Sequence, residues 1–300
     1  MQPKVFIILL NWNNWPDTLD CLRQLKNNDY PNYKVVIVDN DSAEKSEIQN
    51  PDVKIIYNNK NLGFTGGNNV GVKYALKHGA DYVLLLNSDV YLDSVFLTKL
   101  IEVGQSNKKI GFLGPKIYFA DNRKKLWCAG GRVNWLFNKG TMRGCGEIDK
   151  GQYDNPAVQK TEYVTGCCLL AKREVLEKIG LMREDYFLYY EDTDWSLRAS
   201  QAGYICAFVP SAKIWHIGSK TTGLESPPYI YYMVRNGLIL SHYFAPWYIK
   251  PFVFGDVLWR IKKQNIKFIF MPKKRKWVKY ILLGIKDYYL KKWGKNENWY

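Results

Sequence analysis

The chain has 300 residues, of which 47% are apolar and 24% are charged, a length and composition that exclude wholesale disorder, a collagen-like repeat and a simple coiled coil. A core of this size needs neither disulfides nor a structural metal. Lysine and arginine outnumber aspartate and glutamate by 43 to 28, a formal net charge of +15. Residues 241–300 hold fourteen basic residues, three acidic residues and sixteen aromatic residues. We therefore expect two regions, a domain over 1–240 and a basic, aromatic region over 241–300.

No membrane-spanning segment is predicted. Lys250, Asp256 and Arg260 interrupt the apolar stretches of the basic region, which fall short of the roughly eighteen apolar residues that a spanning helix needs. The apolar run over 5–10 is too short for a signal peptide. The six cysteines lack the spacing of a metal site, which favours cytoplasmic thiols. These features predict a cytoplasmic protein.

The first ninety residues alternate short apolar runs with helical patterns, as expected for a mostly parallel sheet flanked by helices. Predicted strands cover residues 5–10, 35–38, 53–57 and 82–86. One helix is predicted to begin near Pro16, and another after a Gly/Asn-rich loop over 58–67 and to end at Gly79. Polar residues follow the first, second and fourth strands, at the edge where ligands bind in open α/β sheets.

Beyond Gly104, frequent glycines interrupt strand-like pieces, which predicts mixed sheet and loop. Regular structure returns with a strand predicted over 163–171. A helix over 173–179 and another over 192–202 follow it.

The segment 61–69 joins a predicted strand to a predicted helix, so its backbone N–H groups can bind a phosphate or a nucleotide. Its glycine spacing matches neither a dinucleotide fingerprint nor a P-loop, and an ordinary Gly/Asn turn is the alternative. Residues 39–42, Asp-Asn-Asp-Ser, leave a similar choice. They form either a simple turn or a carboxylate site for a base or ribose.

An apolar strand delivers Asn87, Ser88 and Asp89 to the ligand edge of the sheet. One or two carboxylates together with substrate phosphates suffice to hold Mg²⁺ or Mn²⁺, which makes Asp89 a candidate metal ligand. The alternative is an aspartate that caps a helix beginning near Asp93.

Three carboxylates fall within four residues at Glu191, Asp192 and Asp194, behind an aromatic run that starts at Tyr186. Crowded carboxylates raise one another's pKa, and aromatic walls desolvate them, so both effects suit a general base near neutral pH. The alternative is an acidic first turn that complements the helix dipole, with Arg198 as the partner of Asp194 four residues away. Both interpretations can hold together.

Two further positions stay open from the residues alone. His216 lies in a short apolar run, where a lone histidine is more often a hydrogen-bonded core residue than a ligand. Arg235 and Asn236 lie on a predicted helix, and Arg235 either contacts a phosphate or pairs with an acid.

Five motifs follow one another in an order that resembles the inverting glycosyltransferases of family 2, and the rhamnosyltransferase-like members most of all. They are Asn-Trp-Asn at 11–13, Val-Asp-Asn-Asp-Ser at 38–42, the segment 61–69, Asn-Ser-Asp at 87–89 and the acidic segment 191–198. The resemblance spans roughly residues 4–240. It implies the GT-A fold, with a mostly parallel, Rossmann-like sheet flanked by helices, to which this chain adds a basic, aromatic helical extension.

The resemblance also implies a donor site. The nucleotide-binding residues would be Asn11, Asp39, Asn61, Gly63, Asn87 and Ser88, with Asp39 on the base. Asp89 matches the last aspartate of the family's metal motif. His216 matches a histidine that completes the metal or diphosphate site.

On the acceptor side, the resemblance implies that Asp192 is the catalytic base, with Glu191 and Trp195 close to the acceptor. Arg235 and Asn236 match an Arg-Asn pair that is frequent in this subgroup. Two departures also fall near the acceptor. Arg183 replaces an acid that family members often carry, and Trp195 stands where a smaller aliphatic residue is common.

The implied reaction moves a sugar, rhamnose being favoured, from a dTDP, UDP or GDP sugar to a hydroxyl of a glycan or of a polyprenyl-diphosphate-linked saccharide. A divalent cation, Mg²⁺ or Mn²⁺, neutralises the diphosphate leaving group, and Asp192 takes the proton of the acceptor. One base and a direct displacement give inversion.

The basic region is expected to hold the protein on the inner face of the cell membrane. Residues 273–282 have the composition of an in-plane amphipathic helix, and a solvated helical hairpin packed on the catalytic domain is the alternative.

Two rival functions are a non-catalytic assembly subunit that binds nucleotide sugar or lipid, and a single-stranded nucleic-acid binder. Nucleic acid is not the expected partner, because the excess charge lies outside the region that holds the motifs. A homo-oligomer is left open.

Overall fold

The computed structural model describes residues 2–46, 48, 52–218 and 226–299. Over these residues the strands are β1 (Val5–Asn11), β2 (Tyr33–Asp39), β3 (Val53–Tyr57), β4 (Tyr82–Leu86), β5 (Val90–Leu92), β6 (Ile110–Phe119), β7 (Leu126–Cys128), β8 (Gly131–Asn134), β9 (Lys139–Met142), β10 (Gln159–Thr161), β11 (Cys168–Lys172) and β12 (Ile205–His216). The helices are α1 (Trp15–Leu25), α2 (Gly63–Lys77), α3 (Phe96–Ser106), α4 (Arg173–Ile179), α5 (Glu191–Gln201), α6 (Pro227–Phe244), α7 (Lys250–Phe270) and α8 (Arg275–Tyr289). A 3₁₀ turn over Pro272–Lys274 lies between α7 and α8.

A central sheet has the strand order β10-β12-β6-β11-β4-β1-β2-β3, with β5 paired to β12 and β7 paired to β6. Strands β3, β2, β1 and β4 run parallel, and β11 joins β4 in antiparallel fashion. Strands β1, β2 and β4 are runs of mostly buried apolar residues, as expected of parallel strands that are covered on both faces. Strands β8 and β9 form a separate hairpin.

Helices cover both faces of this sheet. Alternate residues of β1 point to opposite faces, so Ile7 packs with residues of α1 and α3, while Ile8 packs with residues of α2, α4 and α5. The register aligns Val5 with Tyr33 of β2 and with Tyr82 of β4. The carboxyl ends of these three strands therefore meet at one edge of the sheet.

The glycine-rich segment 61–69 differs from its prediction. Helix α2 begins at Gly63, so the second half of the predicted loop is helical. A Cβ atom at Gly67 would lie 2.4 Å from the Leu10 side chain, and one at Gly71 would lie 2.5 Å from the Ile8 side chain. Glycines within this helix therefore allow it to pack closely on β1.

Two other predictions need correction. The strand predicted over 163–171 begins only at Cys168, and residues 163–167 are irregular backbone beside the cleft described below. Asp89 does not cap a helix near Asp93, because β5 follows Asp89 and α3 begins at Phe96. This removes the structural alternative for the Asp89 carboxylate.

Helices α6, α7 and α8 form the basic, aromatic extension. Helix α6 ends at Phe244, so the predicted boundary after residue 240 falls inside a helix. Leu238 of α6, Val257 of α7 and Ile285 of α8 meet in one buried apolar cluster. Over the described part of the chain, no helix is long and apolar enough to cross a membrane.

Candidate active site

An open cleft lies at the carboxyl ends of β1, β2 and β4 and has a volume of about 340 Å³. Eight residues singled out from the sequence line it: Asn61, Gly63, Asn87, Ser88, Asp89, Glu191, Asp192 and His216. Trp12 and Asn40 also line it, so each of the five motifs contributes at least one residue. Motifs that are up to 180 residues apart in the chain therefore share one cavity.

Asn11 and Asp39 are buried and do not line the cleft, so their contact with the nucleotide stays a prediction. Asn11 Nδ2 donates to Asp39 Oδ2 (2.7 Å) and to Ser42 Oγ (3.0 Å). The Ser42 N–H donates to Asp39 Oδ1 (2.9 Å). Because both carboxylate oxygens of Asp39 already have protein donors, the pair holds the ends of β1 and β2 together. The neighbouring Trp12 and Asn40 reach the cleft in their place.

Asn40 connects the end of β2 to the start of α2. Its Nδ2 donates to Asn61 Oδ1 (2.8 Å) and to the Gly63 carbonyl oxygen (3.1 Å), and the Gly63 N–H donates to Asn61 Oδ1 (2.8 Å). Gly63 has a φ of +71°, and a Cβ atom there would lie 2.4 Å from the Phe187 carbonyl oxygen. Only glycine fits this conformation and this contact. The first turn of α2 is thereby held against Phe187.

Asp89 and His216 meet because β12 pairs with β5. This pairing places His216 opposite Val90, and the Ile217 N–H donates to the Asp89 carbonyl oxygen (2.9 Å). His216 Nε2 lies 3.2 Å from Asp89 Oδ2. The histidine is only 4% exposed, and neither ring nitrogen makes a hydrogen bond of good geometry to a described residue. Since buried polar groups are normally hydrogen-bonded, His216 is not the satisfied core histidine of the alternative interpretation.

The Asp89–His216 pair fits a divalent cation that is shared with a substrate. Within residues 2–46, 48, 52–218 and 226–299 there is no group of three or more His, Cys, Asp or Glu side chains that can hold a metal alone. Mg²⁺ and related ions in nucleotide sites are commonly held by one or two protein ligands, with phosphate oxygens and water completing the shell. The unsatisfied imidazole nitrogens and the adjacent carboxylate of Asp89 provide such an incomplete set.

Asp192 lies in the first turn of α5 and lines the cleft. Its Oδ2 accepts from the Gly166 N–H (2.8 Å), and its Oδ1 accepts from the Thr193 N–H (2.6 Å) and the Thr193 hydroxyl (3.1 Å). Burial raises the pKa of the Asp192 carboxyl, and these donors partly offset the increase. A fixed carboxylate with a raised pKa suits a general base.

Glu191 lies beside Asp192 and also lines the cleft. It is buried, and its Oε2 has no hydrogen-bond partner among the described residues. Burial raises the pKa of Glu191 well above its usual value, and the neighbouring charge of Asp192 raises it further. Glu191 therefore keeps its proton at pH values where an ordinary glutamate is ionised.

The third carboxylate of the run, Asp194, is a structural residue. Its Oδ2 accepts from Arg198 Nε (2.8 Å), and its Oδ1 accepts from Arg183 Nη1 (3.1 Å) and Tyr186 Oη (3.2 Å). Neither Asp194 nor Arg183 lines the cleft, and the position of Arg183 near an acceptor stays a prediction. Asp194 therefore fits the helix-stabilising interpretation of the acidic run, and Asp192 fits the general-base interpretation.

Trp195 is not on the acceptor side, which corrects its prediction. Its side chain is fully buried, and its Nε1 donates to the Gly180 carbonyl oxygen (2.9 Å). The ring packs edge-on against Phe112 of β6, with 5.1 Å between centroids. Trp195 therefore anchors α5 to the sheet.

The segment 185–190 forms the cleft wall that leads into α5. The values of φ are +63° at Phe187, +70° at Tyr189 and +73° at Tyr190. Residues other than glycine rarely adopt this left-handed region, and each such residue costs about 1–3 kcal/mol. The surrounding structure must therefore hold the segment in place.

Arg235 and Asn236 of α6 hold the segment 185–190 in place through hydrogen bonds. Asn236 Nδ2 donates to three carbonyl oxygens at 2.8–2.9 Å, those of Tyr186, Leu188 and Tyr189. Arg235 Nη2 donates to the Tyr186 carbonyl oxygen (3.1 Å), and its Nη1 donates to that of Gly294 (2.8 Å). Both side chains are buried and neither lines the cleft. Arg235 therefore bonds to carbonyl oxygens, where the sequence predicted a phosphate or an acid.

Several lining residues belong to no motif and were missed from the sequence. Trp127 of β7 packs edge-on against His216, with 4.6 Å between centroids, and Met142 of β9 also lines the cleft. Gly166 lines it and donates to Asp192. One signal was available, because Gly166 falls inside the predicted strand 163–171, and an isolated glycine in a strand indicates close backbone approach.

The family model described as "Glycosyl transferase family 2" matches residues 6–180, more than half of the chain. The chain belongs to glycosyltransferase family 2. The matched residues include the lining of the cleft from Leu10 to Cys167. Asp192 and His216 lie beyond the match and also line the cleft.

Named relatives of this family 2 protein include three rhamnosyltransferases. It is 26% identical over 252 residues to the dTDP-rhamnosyl transferase RfbF of Shigella flexneri, with 80% of each chain covered. It is 24% identical to the N-acetylglucosaminyl-diphospho-decaprenol L-rhamnosyltransferase of Mycobacterium tuberculosis, covering 64% of this chain and 68% of the relative. It is 25% identical to the rhamnosyltransferase WbbL of Escherichia coli K12, covering 71% and 83%. The protein is therefore rhamnosyltransferase-like, as predicted.

Solved structures share the fold of this family 2 protein. A crystal structure of GalNAc-T7 with UDP, GalNAc and Mn²⁺ superposes with a TM-score of 0.66 at 13% identity, covering 88% of this chain and 51% of that one. The mannosyltransferase PcManGT from Pyrobaculum calidifontis, in complex with GDP-Man and Mn²⁺, superposes with a TM-score of 0.56 at 14% identity, covering 97% and 88%. Both are GT-A glycosyltransferases, so the predicted GT-A fold is confirmed.

Proposed function

We propose that this family 2 protein is an inverting glycosyltransferase that moves a sugar, rhamnose being favoured, from a nucleoside diphosphate sugar to a hydroxyl of a glycan or of a polyprenyl-diphosphate-linked saccharide. The observation that carries the proposal is that Asp192 and the Asp89–His216 pair line one cleft. A direct displacement needs a base for the acceptor and a site for the leaving diphosphate in the same cavity.

The diphosphate of the donor is proposed to lie against Asp89 and His216, with the nucleotide along Asn61, Gly63 and Ser88. A divalent cation held there would neutralise the charge that develops on the leaving group. Mn²⁺ accompanies the nucleotide in both solved relatives, which supports Mn²⁺ or Mg²⁺ as the cofactor here.

The acceptor is proposed to enter beside Asp192. Its hydroxyl oxygen forms a bond to the anomeric carbon while the bond from that carbon to the diphosphate oxygen breaks, and the hydroxyl proton goes to the Asp192 carboxylate. Attack from the face opposite the leaving group inverts the anomeric configuration.

The relatives support the finer assignments. The name of the Shigella protein favours a dTDP-rhamnose donor, and the name of the Mycobacterium protein favours an acceptor saccharide on a polyprenyl diphosphate. Such lipid-linked saccharides are intermediates of cell-surface polysaccharides. We therefore assign the reaction to the cytoplasmic face of the cell membrane.

The test is turnover with defined substrates. Purified protein is incubated with Mn²⁺, a polyprenyl-diphosphate saccharide and, in parallel, dTDP-rhamnose, a UDP sugar and a GDP sugar, and the product is analysed by NMR. We expect transfer from one donor class with inverted configuration, and loss of transfer in Asp192→Asn but not in the control Asp121→Asn, an exposed aspartate outside the cleft. Nucleotide binding without transfer would identify a non-catalytic subunit, and no binding of any nucleotide would reject the proposal.

A further inference from the structure

Helix α7 leaves much of its apolar surface uncovered, including a row that runs along its length. Phe252, Trp259 and Ile266 recur every seven residues, or about two helical turns, and therefore lie on one side of the helix. They are 64%, 60% and 50% exposed, and Phe270 at the end of the same side is 75% exposed. Val257 is buried on the opposite side, against α6 and α8. Large apolar side chains scattered singly over a surface are ordinary, but a row along a whole helix indicates an interaction site.

The exposed row continues onto the β8–β9 hairpin. At the hairpin tip, Leu136 is 50% exposed and Phe137 is 60% exposed. Arg260 of α7 donates from Nη2 to the Phe137 carbonyl oxygen (3.0 Å), which joins the tip to the helix. We call the apolar surface formed by Leu136, Phe137, Phe252, Trp259, Ile266 and Phe270 the docking face.

Positive charge borders the docking face. Lys262 and Lys263 are exposed and fall on either side of the apolar row in the helical repeat. The single acid of α7, Asp256, is paired with Arg260 (2.6 Å) and does not offset these lysines. An apolar row flanked by lysines is the pattern of a helix that lies in the plane of an anionic bilayer, with the lysines reaching the phosphates.

Helix α8 differs, although its sequence predicted the membrane-binding helix. Its apolar residues Tyr280 and Leu283 pack against Tyr231 and Tyr232 of α6. Ile285 is buried against α6 and α7. The prediction of an in-plane helix over 273–282 is therefore corrected, because the apolar side of α8 is already covered by protein.

We propose that the docking face binds an anionic lipid bilayer, with α7 in the membrane plane and the hairpin tip inserted beside it. Strand β9 of the same hairpin contributes Gly140 and Met142 to the cleft lining. This surface would keep the cleft next to the bilayer, where a lipid-linked acceptor is anchored. The inference rests on the proposed function only where it invokes a lipid-linked acceptor.

The test compares binding to vesicles of phosphatidylcholine mixed with phosphatidylglycerol and to vesicles of phosphatidylcholine alone, by flotation of the full-length protein. We expect binding to the anionic vesicles that weakens as salt is added. The triple variant Phe252→Gln, Trp259→Gln, Ile266→Gln should bind at least about a hundredfold more weakly, since each large apolar side chain contributes strongly to partition. The control Ile148→Gln with Leu290→Gln removes exposed apolar residues outside the docking face and should bind like the wild type.

Unchanged binding of the triple variant, or no binding of the wild type to anionic vesicles, would overturn the inference. If the wild type is instead a dimer that the triple variant converts to a monomer by light scattering, the docking face is an interface between two copies and the inference is likewise overturned. Vesicle binding needs no donor and no turnover. Failure of this inference is therefore distinguishable from failure of the proposed reaction.

Discussion

The two ends of the cleft are built in different ways. At the sheet edge, Asn40 and Asp89 follow buried parallel strands, and the strand register decides where they lie. At the other end, Asp192 follows the segment 185–190, which contains three non-glycine residues with positive φ. Side-chain hydrogen bonds from Arg235 and Asn236 hold that segment.

This difference predicts which substitutions impair ligand binding and which impair the rate of the reaction. Backbone pairing of β1, β2 and β4 holds the sheet edge, so a single substitution there should remove a ligand contact and leave the scaffold intact. At the other end, a few side chains replace the missing backbone pairing. Substitutions there should change the position of the base, and hence the rate, more than the binding of the nucleotide.

The largest effect is expected for Asp192→Asn. An amide cannot accept the acceptor proton, so kcat should fall about a thousandfold while the Kd for the nucleotide stays the same. The comparison variant Asp194→Asn leaves Arg198 and Arg183 without a charged partner and should lower Tm instead. An Asp192→Asn enzyme within tenfold of wild-type kcat would show that the base lies elsewhere.

Asp89→Ala should affect binding first. Wild-type protein with a nucleoside diphosphate at a hundred times its Kd, in the presence of Mn²⁺, should gain about 2.7 kcal/mol and roughly five degrees or more in Tm. The variant should lose the part of this shift that depends on Mn²⁺. A metal-dependent shift of the same size in Asp89→Ala, measured by thermal denaturation, would exclude Asp89 as a ligand.

Asn236→Leu tests whether α6 positions the base. The substitution leaves three carbonyl oxygens of the segment 185–190 without this donor, and we expect kcat to fall about tenfold and stability by about 2 kcal/mol. The Kd for the nucleotide should change little, because Asn236 does not line the cleft. A drop in Tm with kcat unchanged at a temperature where the variant is folded would leave Asn236 a purely structural role.

The pH profile reports the environment of Asp192. Burial raises the pKa of its carboxyl, so the basic form is lost at a higher pH than for an ordinary aspartate. On the acid side, kcat/KM should therefore fall about tenfold per pH unit below that raised pKa. An acid limb near the ordinary aspartate value of about 3.9 would contradict the assignment.

Glu191→Gln should change stability. Because the pKa of Glu191 is raised in the fold, its stabilising contribution is complete below the unfolded pKa of about 4.3 and is lost as the pH rises through the folded pKa. Glutamine stays neutral, so the variant should match the wild type in acid and exceed it at neutral pH, by about 1.4 kcal/mol per unit of pKa shift. Equal Tm values from acid to neutral pH would show that Glu191 is not held protonated.

Much of the fold was predictable because the relevant signals are local. Strands β3 and β4 and helix α4 have the bounds predicted from apolar runs and glycine stops. The residues that line the cleft were less predictable. Asn11 and Asp39 were assigned to the ligand, yet they bond to each other, since adjacency to a strand end does not show which of two neighbouring side chains points into the cleft.

By itself, the sequence determined the order of the motifs, and with it the family, the parallel start of the sheet and the presence of a basic, aromatic helical extension. Only the tertiary structure decided that Asp192 faces the cleft while Asp194 is paired with arginines, and that α7 leaves its apolar side open while α8 buries its own. The physical reason is the same in both cases. Residue spacing shows that a helix has two sides, but the neighbour that it meets in the fold decides which side is covered.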